Sequence, residues 1–154
     1  DLLAVHDYIQ DRLDLTLRDL DLDAAPFDVA GLSVDAKETR HSMPCLAYRF
    51  SDPEAAGPTI VFGADSEAFI GLVDLADGAA VLAHDCSFPD DIDVSNHPTP
   101  TALGELLAGR DIEEVYLTHL YPHTDGRHRE MTDAVRANFD GTVRMARDGL
   151  TVEI

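Results

Sequence analysis

The sequence predicts an α/β domain in which one sheet carries helices on at least one face. Three observations predict it. Short β-rich runs alternate with segments of helical period along most of the chain, and Gly, Pro and Asp turn signals separate them. At 154 residues the chain has the length of a single domain, able to bury about 70% of its unfolded surface. No apolar run reaches the roughly 18 residues that a membrane helix needs, so no bilayer span or membrane partner is expected.

Taken in order, Leu2, Leu3, Val5, Ile9 and Leu13 recur at near-helical spacing and predict a first helix. Residues 27–29 and 32–36 are β-rich and joined at Gly31. Residues 45–50 and 59–62 read as two further strands, split by a turn-rich stretch over 51–58. Helical and strand periods then alternate: a helix over 66–75, a strand over 80–83, a helix over 101–108, a strand over 115–118 and a helix over 130–139. Residues 143–146 and 150–154 close the chain as strands around the Asp148-Gly149 turn. No repeat, low-complexity tract or linker interrupts this order, so residues 1–154 read as one unit.

Thirty acidic residues stand against eleven basic ones, a formal net charge of −19. A field of that sign repels phosphate backbones and argues against a broad electrostatic grip on nucleic acid. Asp outnumbers Glu 22 to 8 and Lys37 is the only lysine. Such a surface resembles those of proteins from salt-loving organisms, where screening relieves self-repulsion. Cys45 and Cys86 fit neither a disulfide framework nor a metal knuckle, and Cys45 reads as a small buried side chain. The lack of a secretory signal favours the cytosol, and a chain opening at Asp1 inside a helical pattern reads as part of something longer.

Polar residues at strand ends are where layered α/β folds place active sites. His41 lies in the turn Arg40-His41-Ser42-Met43-Pro44, Asp65 follows a strand through Gly63-Ala64, and His119 follows another. Asp85 and His97 flank the segment after the strand at 80–83. Each has a structural reading as well: Asp65 before Ser66-Glu67 suits a helix N-cap, and His84 reads as a satisfied interior histidine. Asp90, Asp91 and Asp93 read as a solvated loop, and His6, His123 and His128 as surface histidines. Together, two imidazoles and a carboxylate at successive strand ends suit Zn²⁺ or a similar divalent ion. Because a carboxylate can bridge two ions, Asp65 would lie between metals held by His41 and His119. Two ions about 3.5–4 Å apart can activate water and stabilise a leaving oxygen.

These segments resemble the metallo-β-lactamase superfamily, and within it the ribonuclease Z-like hydrolases. His41-Ser42-Met43-Pro44-Cys45-Leu46-Ala47-Tyr48-Arg49-Phe50 is similar to that family's third metal motif, Val61-Phe62-Gly63-Ala64-Asp65-Ser66 to the fourth, and Leu117-Thr118-His119-Leu120-Tyr121-Pro122 to the fifth. His84-Asp85-Cys86-Ser87-Phe88 resembles its His-Glu-x-x-Phe strand end, and Asn96-His97-Pro98-Thr99 the loop whose histidine assists proton transfer. The closing Ala146-Arg147-Asp148-Gly149-Leu150 is similar to its C-terminal strand pair, so the resemblance runs from about Gly31 to the end in family order.

The resemblance implies a binuclear centre with two Zn²⁺, where Mn²⁺ or Fe²⁺ is also acceptable to imidazole and carboxylate. It makes His41, Asp65 and His119 metal ligands, His97 the proton donor and Asp85 its partner. The hallmark His-x-His-x-Asp-His is absent, so the chain is expected to be the C-terminal half of the αββα sandwich. Only 23 residues separate His41 from Asp65, leaving no room for the tRNA-gripping arm of ribonuclease Z. A small phosphoester or nucleotide is therefore the expected substrate, rather than tRNA. The alternative is a non-catalytic fragment that binds metal weakly or not at all. An exposed core would then favour a homo-oligomer or association with the absent N-terminal half, whether cleaved off or a separate chain.

Overall fold

A computed structural model describes residues 19–22, 26–54, 57–92 and 94–154. Seven strands form one sheet: β1 Phe27–Val29, β2 Leu32–Glu38, β3 Leu46–Ser51, β4 Ile60–Phe62, β5 Ala79–Asp85, β6 Ile112–Thr118 and β7 Thr142–Met145. Three α-helices connect its later strands: α1 Ile70–Ala76, α2 Pro100–Leu107 and α3 His128–Arg136. The helix predicted near the N-terminus lies outside the described residues.

Spatial order in the sheet equals chain order, β1 to β7. The first four strands pair antiparallel, β1 and β2 through a two-residue turn, and β4 to β7 pair parallel. A parallel crossover is right-handed in nearly all proteins. Three such crossovers stepping in the same direction must put α1, α2 and α3 on the same face.

That face holds the core. Val61, Leu82, Val115, Leu117 and Val143 from the sheet pack against Leu72, Val73, Leu103, Leu107, Met131 and Val135 from the helices, all at 0–1% exposure. Helix α2 starts cleanly because Pro100 lacks the N–H a first turn cannot use, and Thr99 Oγ1 accepts from Ala102 N at 3.3 Å. Gly104 lets α2 and α3 touch: a Cβ there would meet the Val135 carbonyl oxygen at 2.5 Å. Arg49 closes α1, donating to the carbonyls of Leu75 at 2.7 Å and Asp77 at 3.0 Å.

Among the described residues, no helix lies on the opposite face. This face presents Phe50, Ile60, Phe62, Val81 and Tyr116, by the alternation of side chains along paired strands. Residues 150–154, expected to form a strand, pair with none of the described strands. The Asp148-Gly149 turn does form, with Leu150 N bonded to the Arg147 carbonyl at 3.1 Å and Gly149 at φ 74°. The chain then crosses the bare face, where Leu150, Val152 and Ile154 join Ile60, Phe62 and Tyr116 in lining a cavity of about 330 Å³. An alternating apolar tail can bury its side chains on a sheet face as well as at a sheet edge, and parallel strands need both faces covered. Coverage is incomplete, since Phe62 remains 51% exposed. No helix among the described residues is long and apolar enough to cross a membrane.

Candidate metal centre

Strand direction alone gathers the candidate residues. β4, β5 and β6 run parallel, so their C-terminal ends share one edge, and β3 runs antiparallel to β4, so its entry lies at that same edge. His41 precedes β3, Asp65 follows β4, Asp85 ends β5, and His119 follows β6. The connection from β5 to α2 brings His97 back over them. All five residues singled out from the sequence meet there.

Asp65 sits in the middle. Its Oδ1 lies 3.5 Å from His41 Nε2 and 3.4 Å from His97 Nδ1, and its Oδ2 lies 3.6 Å from His119 Nε2. These spacings are too long for good hydrogen bonds. Oδ1 is buried and has no hydrogen-bond partner among the described residues. Asp65 does not cap a helix: α1 begins at Ile70 with Phe69 in the cap position. The expected start near residue 66 fails because Glu67 N is held by the Arg40 carbonyl at 3.0 Å, which ties this bend to the His41 turn.

Asp85 is fully buried and serves both neighbouring histidines. Its Oδ2 lies 2.6 Å from His97 Nδ1, and its Oδ1 lies 2.6 Å from Ser87 Oγ and 3.7 Å from His119 Nδ1. Burial pushes its carboxyl above the ordinary carboxylate range, while the hydrogen bonds from Ser87 and His97 pull the other way. Ser87, unmarked by any chemistry of its own in the sequence, is buried at the junction. The signal available for it was only a hydroxyl two positions after a strand-end carboxylate.

Backbone strain is concentrated at this edge. Four described non-glycine residues have positive φ, and three touch the site: Ala64 (58°) before Asp65, Asn96 (73°) before His97, and His119 itself (58°). Local bonds hold these turns. Glu67 Oε1 accepts from Asn96 N at 3.3 Å, the His119 carbonyl accepts from Ser87 Oγ at 2.7 Å, and Gly63 N donates to the Ala83 carbonyl at 2.8 Å.

His84 lies beneath, 1% exposed, with neither ring nitrogen hydrogen-bonded among the described residues. It is an interior histidine, as expected, but not a satisfied one. Desolvation lowers its pKa to about 4, outweighing the Gly63 backbone and Asp65, which favour the charged form. Gly63 makes room for it: a Cβ there would stand 2.2 Å from His84 Nδ1. Burial also pushes the Cys86 thiol strongly upward, keeping it protonated, whereas Cys45 is only half-buried just before β3. Asp90 and Asp91 are exposed but partnered. Asp90 accepts from Thr101 N at 2.9 Å, and Asp91 pairs with Arg127 at 2.7 Å. Asp93 and His6 lie outside the described residues.

Phe88 and Tyr121 pack with ring centroids 4.8 Å apart, tilted by 30°, and form an aromatic wall beside His97 and His119. A depression of about 480 Å³, lined by Glu67, Asp90, Asn96, His97, Pro98 and Thr99, opens next to His97.

The donor set fits a divalent cation. Asp65, Asp85, His97 and His119 each offer an atom within 4.8 Å of the others, while His41 approaches through Asp65 alone. An orphaned buried carboxylate oxygen facing imidazole nitrogens just beyond hydrogen-bond range is suited to sharing an ion of borderline softness. His97 Nδ1 is already committed to Asp85, which leaves Asp65, His41 and His119 with the uncommitted donors.

No protein-family model matches the chain. An uncharacterised protein of Mycobacterium leprae is 27% identical over 135 residues, covering 86% of this chain and 46% of its own length. The metallo-β-lactamase fold protein YhfI of Bacillus subtilis superposes with a TM-score of 0.75 at 25% identity, covering 85% of this chain and 52% of YhfI. A diphosphatase of the PhnP family gives 0.65 at 16% identity (99% and 54% covered), and the short form of human tRNase Z gives 0.62 at 19% (83% and 45%). The last two likenesses are ones of fold alone. The chain spans about half the length of the proteins it matches. A mixed sheet whose spatial order follows the chain, with the described helices on one face, and these structural relatives place the chain in the metallo-β-lactamase superfamily.

Proposed function

We propose that this chain carries part of the active centre of a metal-dependent hydrolase of the ribonuclease Z-like group, acting on phosphoesters or phosphodiesters. The observation that carries the reading is the orphaned Asp65 carboxylate set among His41, His97 and His119. Asp65 would bridge two ions, zinc in the first instance with manganese or iron(II) as alternatives, His41 would hold one and His119 the other. Ions bound there supply an activated water and charge neutralisation at the leaving oxygen.

The protein's own contribution is proton handling. His97 Nδ1 lies 2.6 Å from Asp85 Oδ2, and that contact fixes the orientation of the imidazole. With Nδ1 engaged, Nε2 is the atom that passes a proton to the leaving oxygen. The depression beside His97 would receive the substrate. A net charge of −19 and the short interval between His41 and Asp65 favour a small phosphoester or nucleotide over tRNA, and the diphosphatase among the structural relatives is in keeping with that choice.

Three ligands cannot fill two coordination spheres, so the remaining donors must come from outside the described residues. The half-exposed Phe62 on the bare sheet face favours a second reading, in which this chain alone self-associates and holds metal weakly. Metal content per chain after exhaustive exchange into chelator-free buffer, read with hydrolysis of bis(p-nitrophenyl) phosphate, separates the two. Near two equivalents with turnover supports the hydrolase, and His97→Gln should then lower kcat by about 10²–10⁴ without metal loss. A protein that neither retains zinc nor cleaves a phosphodiester overturns it. Sedimentation as a monomer would argue against self-association.

A further inference from the structure

We propose that Ser87 is a positioning residue that presents His119 to the metal, by linking its Nδ1 to the buried Asp85 carboxylate and leaving Nε2 as the ligand atom. The proposal rests on the reading of His119 as a ligand.

A serine hydroxyl donates one hydrogen and accepts at two lone pairs. Three polar atoms stand within hydrogen-bond range of Ser87 Oγ: Asp85 Oδ1 at 2.6 Å, the His119 carbonyl at 2.7 Å and His119 Nδ1 at 2.8 Å. His97 Nδ1 is farther, at 3.5 Å, and already has Asp85 Oδ2 at 2.6 Å. The carbonyl can only accept. Asp85 Oδ1 also accepts, because the contact with His97 is made by the other carboxylate oxygen. The hydroxyl hydrogen therefore goes to one of these oxygens, or is divided between them. If His119 Nδ1 were unprotonated, three acceptors would compete for one hydrogen at 2.6–2.8 Å inside a buried site. Such a pocket of facing lone pairs is unfavourable. Protonated at Nδ1, His119 donates to Ser87 Oγ, and the one hydroxyl hydrogen then serves two oxygens instead of three acceptors.

That assignment leaves the Nε2 lone pair on the side of the ring facing Asp65 Oδ2 at 3.6 Å. Ser87 also holds the His119 carbonyl, so one hydroxyl fixes both the ring and the strained backbone (φ 58°) that aims it. One buried carboxylate thus orients two imidazoles, His97 by direct contact and His119 through one inserted hydroxyl. Ligand histidines typically donate their second nitrogen to such an outer partner, and losing that partner weakens metal affinity about 10–100-fold.

Two readouts test this on the intact chain. In the chelator-treated wild type, ¹⁵N–¹H long-range correlation at pH 8 should find His119 as the Nδ1–H tautomer. Ser87→Ala should shift it toward the tautomer mixture of a free imidazole. Co²⁺ titration followed by visible absorbance should give a Kd weakened about 10–100-fold in Ser87→Ala and largely recovered in Ser87→Thr. Wild-type His119 protonated at Nε2 overturns the proposal, and so does Ser87→Ala leaving both tautomer and Kd within twofold of wild type. If no variant binds Co²⁺ but the tautomer responds as expected, the positioning role stands and the ligand reading of His119 fails.

Discussion

The two ends of β5 and its neighbours are built on opposite terms. In the layer between sheet and helices, Leu82, Leu72, Val115 and Leu107 are fully buried and surrounded by apolar atoms. A few residues along the same strands, at their C-terminal edge, Asp85 and Ser87 are equally buried but polar. There Asp65 Oδ1 and both nitrogens of His84 lack hydrogen bonds among the described residues, and three non-glycine residues hold left-handed conformations. The first region stabilises the fold. The second is a place where the fold's stability holds groups in positions they would not choose, as sites of binding and chemistry often require.

That contrast is open to direct test, beginning with the apolar layer. Leu82→Ala should destabilise by about 2–5 kcal/mol in urea denaturation. The loss should come with no specific change at the edge, so a folded fraction that keeps its metal affinity is expected. A loss below about 1 kcal/mol would show the layer to be less tightly packed than its burial implies.

His84 gives the next largest effect, in metal-free protein. Its folded pKa of about 4 lies below its unfolded value of 6.5. The unfolded state therefore binds the extra proton between these values, and stability that is fully present above pH 6.5 falls as the pH drops toward 4. The fall contributed by this residue is about 3 kcal/mol at most. His84→Leu should flatten stability across that window, and an unchanged pH profile would remove His84 as the cause.

Asp65→Asn separates function from stability at the edge itself. Metal binding should be lost, while the melting temperature of the chelated protein should hold or rise by the equivalent of about 1 kcal/mol, the usual sign of a residue retained for function. A clear drop in melting temperature would instead give Asp65 a structural role. The smallest effect is expected for Ala64→Gly. Relieving an αL alanine at φ 58° should stabilise by about 0.5–1 kcal/mol. Calorimetry that found destabilisation would place the strain elsewhere.

Much of this was readable in the residues. Short β-rich and apolar runs, bounded by Gly, Pro and Asp turn signals, located each of the seven strands to within a few positions. The strand-end donors His41, Asp65, Asp85, His97 and His119 could be singled out because parallel strands return their C-terminal ends to one edge. What escaped depended on contacts distant in the chain. The bend at Ser66-Glu67 is held by Arg40, so α1 begins four residues later than its own pattern predicts. The tail at 150–154 keeps a strand's alternation but lies on the sheet face instead of joining its edge. Ser87 is a commonplace residue in the sequence, and only its three short contacts single it out.

The agreement between sheet order and chain order has a consequence for how the molecule forms. Each new strand pairs with the one just before it, so no pairing has to wait for a later strand, and assembly can advance from β1 toward β7, through hairpin-like closures first and longer helical crossovers after β4. The donors arrive in that sequence too: His41 and Asp65 meet when β4 docks, Asp85 and His97 follow with β5, and His119 completes the set only when β6 is in place. The cluster of these five residues is thus finished late, after the strands that carry most of them have paired.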